Sequence, residues 1–245
     1  MEEQQIRSAI VTGASGGIGR AVAERLASDG VAVVAHYSGN RRRAEEVAET
    51  IRAAGGRSIA VGGDVADGAA MGALFDAAEE AFGGVDVVVH TAGIMPLAPL
   101  AELDLDVFDQ VQRTNVRGTA VVAQQAARRV RPGGAVVLFS TSITRLQSPG
   151  YAAYAMSKGA VEALTLILAR ELRGRDVTVN TVAPGPTDTP LFREGKPQQL
   201  IDTIAGLNPM GRLGAPGDIA DVVAALAGPL RWVNGQVLYA NGGAA

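Results

Sequence analysis

The stretch Thr12-Gly13-Ala14-Ser15-Gly16-Gly17-Ile18-Gly19 follows directly on the apolar run Ala9-Ile10-Val11-Thr12 and leads into a helical pattern over 18–26. Glycines at 13, 17 and 19 let the backbone turn tightly and approach a pyrophosphate closely. A helix that starts there offers unpaired N–H groups and a partial positive charge. A Gly-rich turn says little alone; between a first strand and a first helix it reads as a dinucleotide-binding turn. The stretch lacks the Gly-Lys-Ser/Thr ending of a nucleoside-triphosphate loop, which argues against that class.

Outward from this turn, β-branched runs alternate with helical stretches. Residues 9–12, 31–36, 58–61, 85–90, 135–140, 177–183 and 236–239 read as strands. Helices are expected over 18–26, 41–54, 71–81 and 218–227, with long ones before the fifth and sixth strands. The strands are nearly continuous apolar runs, as when both sheet faces are covered. Strands alternating with helices predict a parallel sheet with right-handed crossovers. The fold expected is therefore α/β, one doubly wound Rossmann-type domain over 1–245 with a mainly parallel seven-stranded sheet. The one long irregular stretch, 184–216, carries only a weak helix near 198–205, and its part from 187 to 215 is expected to act as a lid.

Composition narrows the function. Hydrophobic residues make up 47% and charged residues 19%, a globular balance. With a net charge of −3, and Arg41-Arg42-Arg43 as the densest basic run, no nucleic-acid partner is expected. The chain has no cysteine and only two histidines, His36 and His90, so neither thiolate chemistry nor a His-based metal site is expected. The acidic, polar start Met1-Glu2-Glu3-Gln4-Gln5 lacks a signal-peptide pattern, and no apolar run approaches the ~20 residues of a membrane span. A cytoplasmic protein is the expectation.

Chemistry enters with Tyr154-Ala155-Met156-Ser157-Lys158. Reducing a ketone by hydride leaves an alkoxide that needs a proton donor beside it. A tyrosine near pKa 10 needs a neighbouring positive charge to serve near neutrality, and i, i+4 spacing on a helix supplies one. Tyr151 has no such partner, because position 155 is alanine.

Taken together, Gly13, Gly17 and Gly19 behind a threonine, and Tyr154 with Lys158 downstream, resemble the short-chain dehydrogenase/reductase family, over nearly the whole chain from Thr12 to Gly243. The resemblance implies Tyr154 as acid/base, with Lys158 lowering its pKa and holding the nicotinamide ribose. It implies a hydroxyl at the exit of strand five to hold the substrate carbonyl. Ser142 is the choice among Ser140, Thr141 and Ser142, with Thr141 as the alternative. Asn115 matches the asparagine that kinks a central helix and anchors a relay water. Ser15 and Ile18 join the three glycines around the phosphates, and Asp64-Val65 matches the pair that contacts the adenine. His90-Thr91-Ala92-Gly93 departs from the usual Asn-Asn-Ala-Gly, leaving the backbone of Ala92 and Gly93 along the cofactor and His90 as a structural substitution. Pro184-Gly185-Pro186-Thr187-Asp188-Thr189 resembles the turn over the nicotinamide, with Pro184, Gly185, Thr187 and Thr189 as contacts.

The second strand ends His36-Tyr37-Ser38-Gly39-Asn40-Arg41, without the carboxylate that usually selects NAD. Tyr37, Ser38, Asn40 and Arg41 suit a 2′-phosphate, so NADP(H) is favoured; Gly16, where many NADP-preferring relatives carry arginine, keeps NAD(H) open. The function expected is interconversion of a small-molecule ketone and a secondary alcohol. An idle dinucleotide-binding regulator and a relative catalysing epimerisation or dehydration are the alternatives. The apolar lid residues Leu191, Phe192, Leu200, Ile201, Ile204, Leu207 and Met210 point to an apolar or aromatic carbonyl. The resemblance also implies a homotetramer, with the Asn115 and Tyr154 helices and the final strand at subunit contacts.

Overall fold

The computed structural model describes residues 6–245, so Met1-Glu2-Glu3-Gln4-Gln5 lies outside the described residues. The strands are β1 (Ser8–Thr12), β2 (Ala32–Tyr37), β3 (Ser58–Gly62), β4 (Val85–His90), β5 (Val130–Phe139), β6 (Thr178–Pro184) and β7 (Val237–Ala240). They form one sheet in the order β3-β2-β1-β4-β5-β6-β7, and every neighbouring pair is parallel. The chain starts mid-sheet at β1, builds outward to β3, then returns to lay β4 on the other side of β1. This reversal opens a crevice at the carboxyl ends of β1 and β4, where α/β sheets bind ligands.

Alternate side chains of each strand enter different layers. Ala9, Val11, Val33, Val87, Val89 and Val137 meet α1 (Gly17–Ser28), α2 (Arg41–Ala53) and, late in the chain, α10 (Pro216–Ala227). Ile10, Val34, Val88, Val136 and Leu138 meet α3 (Gly68–Phe82), α5 (Gly118–Arg129) and α7 (Ala152–Glu171). Two covered faces explain why the strands read as unbroken apolar runs.

Three departures from the sequence reading bear on the site. The helix before β5 is α4 (Leu105–Val111) joined to α5 through a π turn over Gln112–Arg117, which contains Asn115. β5 begins five residues earlier than expected, because Val130 pairs with Val85 before the register shifts and Ala135 pairs with Val87. The 184–216 stretch is more ordered than expected: it holds α8 (Pro190–Arg193), α9 (Gln198–Leu207) and a parallel bridge between Thr187 and Gly214. Between β5 and α7 lies the one-turn α6 (Ile143–Leu146).

By length and composition α7 alone among the described helices would suit a membrane span, yet Tyr154, Lys158, Val161, Thr165 and Leu168 on one side of it are buried in the domain. Its other side exposes Met156, Ala160, Ala163, Leu166 and Ile167. The loop before β7 carries Trp232, the chain's single tryptophan, fully exposed.

Candidate active site

β1 delivers Gly13 into the crevice at φ +72, a left-handed conformation that favours glycine. Behind it, a Cβ on Gly19 would stand 2.3 Å from the Gly13 carbonyl oxygen, so only glycine fits where helix and turn touch. The N-terminus of α1 starts at Gly16 with no side-chain cap and no acidic residue in its first turn. Ser15, Gly17 and Ile18 lie at this open, electropositive end. The cradle fits a pyrophosphate on this geometry alone.

At the β2 edge, the Tyr37 ring covers Gly62, where an added Cβ would lie 2.8 Å from it. Ser38 and Asn40 are exposed beside it. Asn40 caps α2 by accepting from the Arg43 N–H at 3.1 Å, leaving its amide nitrogen as a donor. Arg41 is extended into solvent and paired with Glu45 at 2.7 Å. The Asp64 carboxylate accepts from the Ala66 N–H and pairs with Arg113 at 2.6 Å. The hydrogen bond from Arg113 holds its carboxyl below the usual range. Arg113 was missing from the sequence reading because it lies 49 residues away, on the π turn, with no local signal. Val65 is buried and fills the space beside Gly118.

β4 ends at His90, whose Nδ1 lies 2.8 Å from the Thr12 hydroxyl. Burial is the main force pushing this imidazole down to about 3, with the Lys158 charge adding to it, so His90 is neutral and ties β4 to β1. Ala92 and Gly93 follow. A Cβ on Gly93 would stand 3.2 Å from Asn115 Oδ1 and 3.6 Å from Lys158 Nζ, so the bare backbone is what leaves room there. Asn115 clamps this loop in both directions, accepting from the Ile94 N–H and donating to the Ile94 carbonyl, each at 2.9 Å, and it also donates to Ser157 at 3.0 Å. The π turn that carries it leaves its own carbonyl to accept from the Thr119 hydroxyl at 2.6 Å.

Tyr154 and Lys158 project from the first turns of α7. Lys158 Nζ donates to the Phe139 carbonyl at 2.8 Å and lies 5.7 Å from the centre of the Tyr154 ring. Burial pushes the Lys158 ammonium down to about 8. Burial also pushes the Tyr154 phenol up to about 12, opposed by the Thr141 hydroxyl facing it and reinforced by the phenol of Tyr151. Lys158, expected to acidify this phenol, is not among the groups that shift it, and with burial leading the phenol is protonated at neutral pH.

The choice of Ser142 is corrected by this geometry. Successive side chains leaving β5 point different ways: Ser140 to Glu162, Thr141 to Tyr154, and Ser142 away from the site. Ser142 Oγ donates to the Ala183 carbonyl at 3.3 Å and accepts from Asn241 Nδ2 at 3.1 Å. Asn241 in turn receives Asn208 from the end of α9 on its carbonyl at 2.8 Å. Pro184 and Gly185 close the crevice, with Gly185 packed on Asn241. Thr187 is held by the Gly214 bridge, and the Thr189 hydroxyl caps α8 by accepting from the Phe192 N–H at 3.2 Å. No cluster of metal-ligating side chains occurs among the described residues.

Comparison with known proteins agrees with this geometry. A family model described as enoyl-(acyl carrier protein) reductase matches residues 13–245. An NADPH-dependent aldehyde reductase-like protein of Arabidopsis thaliana chloroplasts is 41% identical over 252 residues, covering 97% of this chain and 93% of its own. A short-chain dehydrogenase of Burkholderia cenocepacia, solved in complex with NADP, is 40% identical with a TM-score of 0.92 over 98% of both chains. An angucycline C-6 ketoreductase with bound NADP is 36% identical with a TM-score of 0.90, over 97% of this chain and 95% of its own. From the glycine turn to the last strand, the chain belongs to the short-chain dehydrogenase/reductase family.

Proposed function

We propose that this protein is an NADPH-dependent carbonyl reductase that converts a ketone to a secondary alcohol, with Tyr154 as the proton donor. One observation carries the reading: a protonated phenol, a facing hydroxyl and a buried ammonium converge beside a glycine-cradled helix terminus at the reversal of strand order. NADPH, when bound, supplies the hydride. Gly13, Gly17 and Gly19 with the α1 terminus would hold its pyrophosphate; Tyr37, Ser38, Asn40 and the α2 terminus would receive its 2′-phosphate. Relatives that use NADPH or carry NADP support this choice over NAD.

Within the site, Thr141 and Tyr154 hydrogen-bond the carbonyl oxygen, and Tyr154 gives up its proton as the alkoxide forms. Lys158 steadies the resulting phenolate and passes a proton back, while Asn115 keeps the Ile94 backbone in place. Replacing Tyr154 with Phe removes the donor without touching the cradle. Turnover should fall by roughly a hundredfold or more while NADPH titrates as before; a fully active Tyr154→Phe enzyme would overturn the assignment.

The substrate class belongs to the same proposal. Exposed apolar side chains of the lid, Leu191, Leu200, Leu207 and Met210, support an apolar or aromatic ketone over a sugar phosphate. Assembly into a homotetramer is supported by the exposed apolar stripe on α7. Ala163→Arg, at its centre, should reduce the mass measured by light scattering; an unchanged mass counts against α7 as the contact.

A further inference from the structure

Tyr154, Lys158 and Glu162 stand at i, i+4 and i+8 on α7, a single stripe along the helix. The proposed reaction uses the first two and leaves the third without a role. Each of the three nevertheless grips the same short segment leaving β5. Lys158 holds the Phe139 carbonyl, and Tyr154 faces the Thr141 hydroxyl. Glu162 Oε1 accepts from Ser140 Oγ at 2.6 Å and from Thr144 Oγ1 at 2.9 Å. The Thr144 hydroxyl also lies 2.9 Å from the Thr141 carbonyl. Tyr239 on β7 joins from the far side, its hydroxyl 3.4 Å from Glu162 Oε1 and 3.2 Å from Thr144 Oγ1, with the Arg145 guanidinium 3.7 Å over its ring.

Glu162 therefore binds Ser140, just before Thr141, and Thr144, three residues after it, while binding neither Thr141's hydroxyl nor the cofactor cradle. Its partners are three hydroxyls, and O–H···O⁻ bonds are shorter and stronger than their neutral counterparts. A hydroxyl that must meet a carbonyl oxygen tolerates little displacement. We propose that Glu162 is a positioning residue for the reduction, setting the Thr141 hydroxyl against the carbonyl oxygen by holding Ser140 and Thr144. The proposal rests on the role given to Thr141 above.

The test is a double-mutant cycle in the full-length enzyme, with kcat, ketone KM and NADPH Kd measured for each variant. Glu162→Ala should lower kcat by roughly tenfold to a hundredfold and leave NADPH Kd within about twofold of the parent. Glu162→Gln keeps an acceptor oxygen and should recover most of kcat. In the Thr141→Ala background, Glu162→Ala should add less than about twofold, because the hydroxyl it positions is gone. Equal losses in both backgrounds, or no recovery in Glu162→Gln, overturn the proposal while leaving the Thr141 role intact. Full activity in Thr141→Ala itself overturns the Thr141 role, and the proposal with it. Should Glu162→Ala not fold, Ser140→Ala combined with Thr144→Val removes the same bonds from the other side and should give the same kcat loss; unchanged kcat there overturns the proposal.

Discussion

Three consecutive hydroxyls, Ser140, Thr141 and Ser142, show how a single residue's duty depends on direction more than on type. Each belongs to a different network, through Glu162, Tyr154 and Asn241 respectively. Removing a hydrogen-bond donor to a developing oxyanion costs roughly a hundredfold to a thousandfold in kcat. Thr141→Ala should show a loss of that order with NADPH binding kept, and Ser142→Ala should lose less than about tenfold, since its bonds reach only backbone and Asn241. The reverse order in steady-state kinetics would restore Ser142 to the role. Tyr154 and Lys158 were legible because i, i+4 spacing on a helix fixes which side chains share a face. The β5 exit was not, because at the end of a strand the backbone leaves its regular alternation and spacing no longer determines facing. Glu162 was legible in principle by the same spacing rule, eight residues past Tyr154, but nothing local marks its hydroxyl partners. Those arrive from β5, α6 and β7.

Among the elements, α1 is the one whose terminus the turn sequence described most completely: strand, glycine turn and helix start all lie where the pattern placed them. What the pattern did not reveal is how open Gly16 is. Its φ of 178 is extended backbone that any residue adopts, and no atom lies within 4 Å of a Cβ built there. An arginine at 16 would therefore fit without strain and carry its charge into solvent, toward the 2′-phosphate site proposed at Ser38 and Asn40. A hydrogen bond to a charged group contributes about 1.5–3 kcal/mol, so Gly16→Arg should tighten NADPH at least about tenfold with little effect on NADH. Equal tightening of both cofactors in a fluorescence titration would show that the 2′-phosphate lies elsewhere. Two other elements escaped the sequence for physical reasons. The π turn at Gln112–Arg117 keeps helical apolar spacing on both sides, so periodicity runs through it unchanged. The early start of β5 is built from Val130-Arg131-Pro132-Gly133-Gly134, whose proline and glycines read as a loop and pair only because Val85 lies alongside.

For the molecule as a whole, the two histidines tie folding to acidity. Burial, the leading cause for each, pushes His36 down to about 4 and His90 down to about 3, from 6.5 in an unfolded chain. Between those limits the unfolded state binds more protons than the folded state, so stability falls as pH falls. The contribution is fully present above about pH 6.5 and is lost progressively toward pH 3–4. Melting temperature should therefore decline steadily from pH 6.5 to pH 4. His90→Asn cannot titrate and keeps an amide able to meet Thr12, so its decline should be shallower. Parallel curves for parent and variant would dissociate His90 from acid lability. The seven-strand arrangement itself followed from alternating strands and helices, whereas the proposed assembly rests only on exposed apolar side chains along α7.

Trp232 gives that last point an optical meaning. An indole standing fully in water, alone of its kind in the sequence, emits at long wavelength and is open to a diffusing quencher. Its spectrum belongs to one corner of the molecule, the loop leading into the edge strand. A blue shift and loss of quenching on raising protein concentration would be the signature of that corner being covered, separable from anything occurring in the cleft. The chain thus carries its own dye, placed by the fold at a border rather than at the reaction.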